Sequence, residues 1–188
     1  MRKLFYIVWI IAAFLISGCA ATVIGAGAGT AAATGTDERG FGTVVSDQTL
    51  EHKVNSVLDA QVPNGSFTVA SYAANVLLAG QVSSEDDYDK ATTAVINTHG
   101  VKKVSNYLTV GKKETVGEIS KDGYITSAAK TRLIAQKGVN TNNIKVVTCA
   151  GVVYLLGANA GKKHQIKGAI TGIRQIDGVK NVVNLIKF

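Results

Sequence analysis

The 188-residue sequence contains few residues of the kinds that form disulfides or bind metals. Its two cysteines, Cys19 and Cys149, cannot supply the disulfide framework of a small secreted domain. Cys149 follows two valines in a predicted strand, so a shielded thiol is expected there. The three histidines, His52, His99 and His164, lie in different predicted segments, with no Cys, Asp or Glu around them at metal-ligand spacing. We therefore expect no bound metal and no cofactor.

Sequence patterns of enzymes are also missing. No Ser/His/Asp order or Cys/His arrangement stands out, and only a triad assembled by folding from distant positions stays open. The glycine-rich run at 25–29 lacks the Gly-Lys-Ser/Thr ending of a phosphate loop, and no predicted strand precedes it. The sequence therefore predicts no catalytic residues, no small-molecule substrate and no enzyme activity.

Long hydrophobic runs are scarce, and the longest, at 4–16, is too short to span a bilayer comfortably. It follows two basic residues and ends at small ones, which predicts a signal peptide over residues 1–18. The ending Ile16-Ser17-Gly18-Cys19 also resembles the lipobox of bacterial lipoproteins. The resemblance implies that Cys19 is lipidated and becomes the mature amino terminus; an ordinary signal peptide containing a cysteine is the alternative. Ala20 stands where aspartate would mark retention in the inner membrane, so the expected location is the periplasmic face of the outer membrane.

The segment after Cys19 has almost no large apolar residues. Residues 19–46 are mainly Gly, Ala, Thr and Ser. Such a composition cannot bury enough surface to offset the entropy cost of ordering the chain. We expect residues 19–46 to be a lipidated, flexible tether.

The rest of the chain repeats itself. Three pairs of segments match at offsets of 78, 77 and 75 residues: 100–108 with 178–186, 76–80 with 153–157, and Asp47 with Asp122. A nearly constant offset indicates a duplicated domain, and each copy is long enough to bury a small core. The expected organisation is a first domain at 47–110, a linker at 111–121 and a second domain at 122–188.

Each copy has the pattern helix, strand, strand, helix, strand. Apolar residues recur at helical spacing after Asp47, which with Ser46 is a candidate helix cap, and again over 124–136. A tight turn joins the first two strands as an antiparallel hairpin, and a helix crosses over before the third. A strand that follows such a crossover runs parallel to its predecessor. The predicted fold is α+β, with a three-stranded mixed sheet packed against two helices in each copy.

These features together resemble a known family. The element order, the strand motif V-x-L-x-G and the ending G-V-x-x-V-x-N-x-L resemble the BON domain, which occurs in bacterial periplasmic and membrane-associated proteins. With the lipobox and the tether, the chain resembles the outer-membrane lipoproteins that carry two BON domains. The resemblance implies that the second domain binds anionic phospholipid and that an aromatic residue at the start of its first helix belongs to the binding face. That aromatic is usually tryptophan in the family, whereas this chain has Tyr124.

The two copies differ in charge. Residues 47–110 contain four lysines and seven acids, a net charge of −3, whereas residues 122–188 contain ten basic residues and two acids, a net charge of +8. A basic domain at a membrane can bind anionic head groups. Nucleic acid is the usual partner of such charge, but the export signal argues against it.

The first helix of the second copy is the expected lipid-binding element. Ile125, Ala129 and Leu133 form one stripe that should face the sheet. The expected lipid-binding residues lie beside or opposite this stripe: Tyr124, Ser127, Ala128, Lys130, Thr131, Arg132 and Ala135. Tyr124 suits a membrane interface, although packing against a neighbouring loop is an equal alternative. The competing hypothesis is a module that binds envelope proteins or acts like a chaperone, with the acidic first copy facing the partner.

Overall fold

The computed structural model describes residues 41–188. The expected signal peptide, Cys19 and residues 20–40 of the expected tether lie outside the described residues. Residues 41–46, which were also expected to belong to the tether, are helical because the first helix already begins at Phe41.

Both copies have the predicted order of elements. The first copy consists of α1 (Phe41–Gln61), β1 (Ser66–Tyr72), β2 (Asn75–Val82), α2 (Glu85–Ile96) and β3 (Lys103–Val110). The second consists of α3 (Val116–Ala135), a 3-10 turn (Thr141–Asn143), β4 (Ile144–Cys149), β5 (Val152–Ala158), α4 (Lys163–Arg174) and β6 (Asn181–Lys187). The α+β fold with an α-β-β-α-β unit in each copy is confirmed.

Each copy forms one mixed three-stranded sheet. β1 pairs with β2 and β4 with β5 in antiparallel hairpins, whereas β2 pairs with β3 and β5 with β6 in parallel. The residues of the first hairpin turn, Ala73 and Ala74, have φ angles of 50° and 62°. Ala150 and Gly151, in the second turn, have φ angles of 52° and 79°. Positive φ at both turn residues is what a two-residue hairpin needs to follow the right-handed twist of its strands.

The helices of each copy cover one face of its own sheet. In the first copy, buried side chains of α1 and α2 meet those of β2 in a single core: Val54, Leu58, Val76, Leu78, Ala91 and Val95. In the second copy, Ile125, Ala129 and Leu133 of α3 pack in the equivalent core, as their spacing predicted. Ser84 caps α2, because its side chain accepts a hydrogen bond from the Asp87 backbone N–H.

The opposite faces of the two sheets pack against each other. A third apolar cluster joins β1 and β2 of the first copy to β4 and β5 of the second: Ala70, Tyr72, Leu77, Ala79, Cys149, Tyr154 and Leu156. The described chain is therefore layered as helices, sheet, sheet, helices. The alternating sequence of β1 predicts a half-buried strand, but at its far end Ala70, Ser71 and Tyr72 are all buried. The second sheet covers the face that an isolated domain would leave in water.

An aromatic pair and an ion pair also join the two copies beside this interface between the sheets. The rings of Tyr107 and Tyr154 meet at 5.1 Å between centroids with a tilt of 58°, a geometry that aromatic pairs favour. The Lys145 ammonium group forms an ion pair with Glu51 across the two copies. Burial raises the pKa of the Cys149 thiol to about 11, so the thiol is shielded as expected.

Two helices begin earlier than the sequence predicted. α1 starts at Phe41, so Asp47 lies inside the helix and is not its cap. α3 starts at Val116, and a capping box between Thr115 and Glu118 closes its first turn. Residues 116–121 of the expected linker are therefore helical. α2 ends at Ile96, and Gly100 adopts its positive φ of 103° in the turn that follows the helix.

The neighbouring residues Leu133 and Ile134 give a matched test of this fold. Leu133 is 1% exposed in the second core, whereas Ile134 is 71% exposed on the other side of α3. Leu133→Ala leaves a cavity in the core, so it should lower the free energy of unfolding by about 2–5 kcal/mol. Ile134→Ala should change it by no more than about 0.5 kcal/mol. Chemical denaturation measures both values, and equal effects of the two variants would contradict the orientation of α3.

Candidate membrane-binding surface

The orientation of α3 follows from its buried stripe. Ile125, Ala129 and Leu133 are all at most 1% exposed. With about 3.6 residues per turn, this stripe fixes the side of the helix that points away from the sheet. The outer face of α3 is defined here as the exposed residues of that side.

Most of the expected lipid-binding residues lie on this outer face or at its margin. The exposed ones are Tyr124, Ser127, Lys130, Thr131, Arg132 and Ala135. Ala128 differs, because it is partly buried and packs against the second core. A residue in that position has little surface left for a membrane, so we exclude Ala128 from the outer face.

Tyr124 projects from the middle of α3 and not from its start. The sequence predicted a helix that begins near Tyr124, and this was wrong because the capping box places the start eight residues earlier. The side chain of Tyr124 is 63% exposed, which does not fit the alternative in which the ring packs against a neighbouring loop. The ring stands between polar residues of the same helix, where an amphipathic side chain can reach into an interface.

The outer face also carries apolar residues that the sequence analysis missed. Val116 is 81% exposed and Ile134 is 71% exposed, whereas Ile119, which is 53% exposed, lies on the flank of the helix and lines a cleft with Asp122 and Thr148. Val116 and Ile134 are about five helical turns apart, so their side chains point in nearly the same direction. The capping-box pattern of Thr115 and Glu118 would have shown that the helix includes Val116 and Ile119. The period of the buried stripe would have placed Ile134 outside.

Cations outnumber acids along α3. Lys121, Lys130 and Arg132 are exposed, and Lys137 is exposed just beyond the helix. The helix contains two acids, Glu118 and Asp122. Glu118 is held in the cap, where hydrogen bonds from Thr115 keep the pKa of its carboxyl below its ordinary value. Asp122 is buried at 7% exposure, so the outward-facing charge of the helix is predominantly positive.

The acids of the first copy are concentrated at the start of α2. Glu85, Asp86 and Asp87 occupy its first turn, where the positive end of the helix dipole favours negative charge. Hydrogen bonds from Ser83 and Ser84 lower the pKa of Asp87, and Asp86 pairs with Lys90 at 2.5 Å. The helix dipole and these contacts account for the negative charge at the start of α2.

Two of the three histidines lie closer together in the structure than their positions in the sequence indicated. His52 and His99 line one open cleft of about 770 Å³ between α1 and α2, whereas His164 lies on α4. Within residues 41–188 the structure contains no group of three or more His, Cys, Asp or Glu side chains that could hold a metal ion. No helix in this part of the chain combines the length and the apolar character needed to cross a membrane.

Comparison with known proteins identifies relatives along nearly the whole chain. The chain is 38% identical to the outer membrane lipoprotein DolP of Haemophilus influenzae over 180 residues, which cover 94% of this chain and 92% of the relative. It is 34% identical to a 21 kDa hemolysin of Actinobacillus pleuropneumoniae over 81% of this chain and 79% of the relative. It is 29% identical to the osmotically-inducible protein Y of Escherichia coli over 78% of this chain and 74% of the relative.

The family comparison agrees with the internal repeat. The BON domain model matches residues 46–112 and again residues 121–188. Each match contains one complete sheet, the whole of the second helix and all but the first turn of the first helix of that copy. The chain therefore belongs to the BON-domain family and carries two copies of the domain in tandem.

Proposed function

We propose that this protein is a lipid-anchored envelope-maintenance protein of the outer membrane that binds anionic phospholipid through the outer face of α3. The observation that carries the proposal is the combination on one helix of an exposed tyrosine and isoleucine with exposed basic residues. Similarity to an outer membrane lipoprotein over 94% of the chain supports the location.

The expected acyl anchor at Cys19 would keep this surface close to a membrane. The 21 residues between Cys19 and α1 can span at most roughly 70 Å. A domain tethered over that distance meets the membrane at a high effective concentration, so the contact made by α3 can be individually weak and still be occupied. The anchor supplies attachment, and α3 supplies the orientation of the domain on the surface.

The outer face combines two kinds of attraction. Each Lys or Arg near an anionic surface contributes about 1 kcal/mol, and the attraction falls off within a Debye length of about 8 Å at physiological ionic strength. Tyr124 and Ile134 add burial of apolar surface at head-group depth, worth about 25 cal/mol per Å² removed from water. Because the electrostatic and the apolar contribution are both small, we expect binding at the surface of the bilayer to be reversible.

A protein-interaction module is the second candidate function. The cleft between α1 and α2, lined by His52, Lys53 and His99, together with the acidic start of α2, offers a surface on the first domain for an envelope protein. The lipid proposal assigns no task to the first domain, so the two functions are compatible.

Flotation with liposomes tests the apolar part of the proposed surface. The protein should be a chain that begins at Ala20, so that no acyl group at Cys19 contributes. Both domains should be kept, because an isolated second domain would expose its side of the interface between the sheets.

Tyr124→Ala and Ile134→Ala should each reduce the fraction that floats with phosphatidylglycerol vesicles, because each removes apolar surface from the contact. Ile96→Ala, in α2 of the first domain and 57% exposed, is the matched control and should bind like the wild type. Undiminished binding by both α3 variants would leave the interaction module as the better hypothesis.

A charge-removal experiment tests the electrostatic part. Lys130→Gln and Arg132→Gln should each weaken binding to anionic vesicles about fivefold at low salt, because each loses about 1 kcal/mol. Their effects should be additive and should shrink as salt rises. Lys102→Gln and Lys103→Gln remove two exposed lysines of the first domain and should leave binding unchanged. A vesicle titration at two salt concentrations measures all four variants, and equal losses from both pairs would show that binding follows net charge and not α3.

A further inference from the structure

The two copies hold their hairpin turns in different ways. In the first copy, a single carboxylate on α1 binds the whole turn. Asp47 accepts hydrogen bonds from the backbone N–H groups of Ala73 at 2.7 Å and Ala74 at 2.9 Å, and from the Ser71 hydroxyl at 2.7 Å. Both carboxylate oxygens of Asp47 are therefore engaged.

In the second copy, two carboxyl groups bind the equivalent turn. Among the described residues, Asp122, which corresponds to Asp47, accepts a hydrogen bond only from the Gly151 N–H, at 2.9 Å. The preceding N–H, of Ala150, donates to Glu114 at 2.6 Å. Glu114 lies in the connector between the two domains, just before the cap of α3. The connector thus supplies an oxygen that the aspartate alone supplies in the first copy.

This division leaves one carboxylate oxygen without a partner. Asp122 is 7% exposed, and its Oδ2 atom is buried with no hydrogen bond among the described residues. Thr148 stands at the position of Ser71, but its hydroxyl accepts from Thr126 at 2.7 Å. Glu114 and Asp122 bind consecutive N–H groups and lie within reach of a side-chain hydrogen bond to each other. Two ionised carboxylates are both acceptors and cannot form that bond, so a proton is needed between them.

Few other groups can neutralise the pair. The two carboxyl groups line a small cleft of about 260 Å³ with the hydroxyl-bearing residues Ser66, Thr68, Thr126 and Thr148. Three other ionisable groups lie beside this cleft on the elements that pack against it. They are Glu118 of α3, the Cys149 thiol of β4 and Lys180 before β6. The Cys149 sulfur lies 4.0 Å from the second oxygen of Glu114. The side-chain stem of Lys180 passes beside Gly151.

We propose that Glu114 keeps its proton in the folded protein and shares it in a hydrogen bond with Asp122, which forms an acid-stabilised clip between the interdomain connector and the β4–β5 turn. A proton on the Oε2 atom of Glu114 donates to Oδ2 of Asp122, which satisfies the buried oxygen. Loss of that proton to solvent leaves two negative charges on adjacent N–H groups, and their repulsion weakens the hold on the connector. This inference does not depend on the lipid-binding proposal.

The electrostatics of Glu114 have the sign that the clip requires. Burial raises the pKa of Glu114 above its ordinary value of 4.5, the Ala150 N–H opposes this, and the negative charge of Asp122 raises the pKa further. A carboxyl group whose pKa is higher in the folded state stabilises the fold fully below its unfolded pKa. That stabilisation is lost as the pH rises through the folded pKa. The clip should therefore be closed in acid and loosen towards neutral pH.

Carboxyl-detected NMR titration of the chain that begins at Ala20, in EDTA, tests the shared proton directly. Glu114 should titrate with a midpoint above 4.5, and Asp122→Asn should lower that midpoint because the neighbouring charge is gone. Hydrogen exchange at individual amides gives a second readout that does not depend on the carboxyl signal of Glu114. After correction for intrinsic exchange, opening at the Ala150 and Gly151 amides should increase several-fold from acid to neutral pH.

Glu114→Gln separates the proton from other causes of pH dependence. Its amide can donate permanently to Asp122, so the two amides should stay protected across the same pH range. Glu85→Gln, an exposed carboxylate at the start of α2, is the matched control and should behave like the wild type. A Glu114 midpoint at or below 4.5, or a Glu114→Gln variant with wild-type pH dependence, would overturn the proposal. Protection that requires millimolar calcium and disappears in EDTA would assign the pair to a cation and also overturn it.

Discussion

The packing of the two sheets on each other is the constraint on which the rest of the structure depends. Leu77 and Ala79 of β2 belong to the same apolar cluster as Tyr154 and Leu156 of β5, while the alternate residues of the same strands point into the two separate cores. Because both faces of each sheet are covered, the helices are forced to the outside of the described chain. The outer face of α3 is exposed for this reason, and so are α1 and α2 of the first domain.

Duplication has produced two domains with one backbone plan and different surfaces. The first domain carries its acids at the start of α2 and pairs Glu51 with Lys145 of the second domain. The second domain keeps an excess of exposed basic residues on α3. The carboxylates that bind the hairpin turns diverge in the same way. Asp47 acts alone, whereas Asp122 shares its turn with Glu114 from the connector. These differences mark the positions at which the two copies of one fold have diverged in charge and in hydrogen bonding.

Residue spacing predicted what depends on local periodicity. The stripe of Ile125, Ala129 and Leu133, the hairpins and the parallel third strands followed from patterns of two and 3.6 residues. The interface between the sheets could not be predicted, because an apolar strand looks the same whether its second face meets water, a helix or another sheet. Continuous apolar runs such as Val76–Val82 were compatible with burial on both faces but did not identify the partner.

The candidate site was predictable only in part, for reasons that lie in particular residues. The outward positions of Tyr124 and Lys130 followed from the helical period, but the start of α3 was misplaced because the Thr115–Glu118 capping box lies in a polar stretch. Ala128 was expected on the surface, but it is partly buried and packs against the second core. The pairing of Glu114 with Asp122 depends on how the connector passes over the β4–β5 turn, and no local pattern contains that information.

The most direct measurement of the central claim is an NMR comparison of the chain with anionic and with zwitterionic bicelles. The account predicts that the anionic bicelles shift the amide signals of α3 around Tyr124, Lys130 and Ile134, while α1 and α2 remain unchanged. Zwitterionic bicelles should give much smaller shifts in the same residues. Perturbations centred on the first domain, or equal perturbations with both lipids, would contradict binding of anionic phospholipid by the outer face of α3.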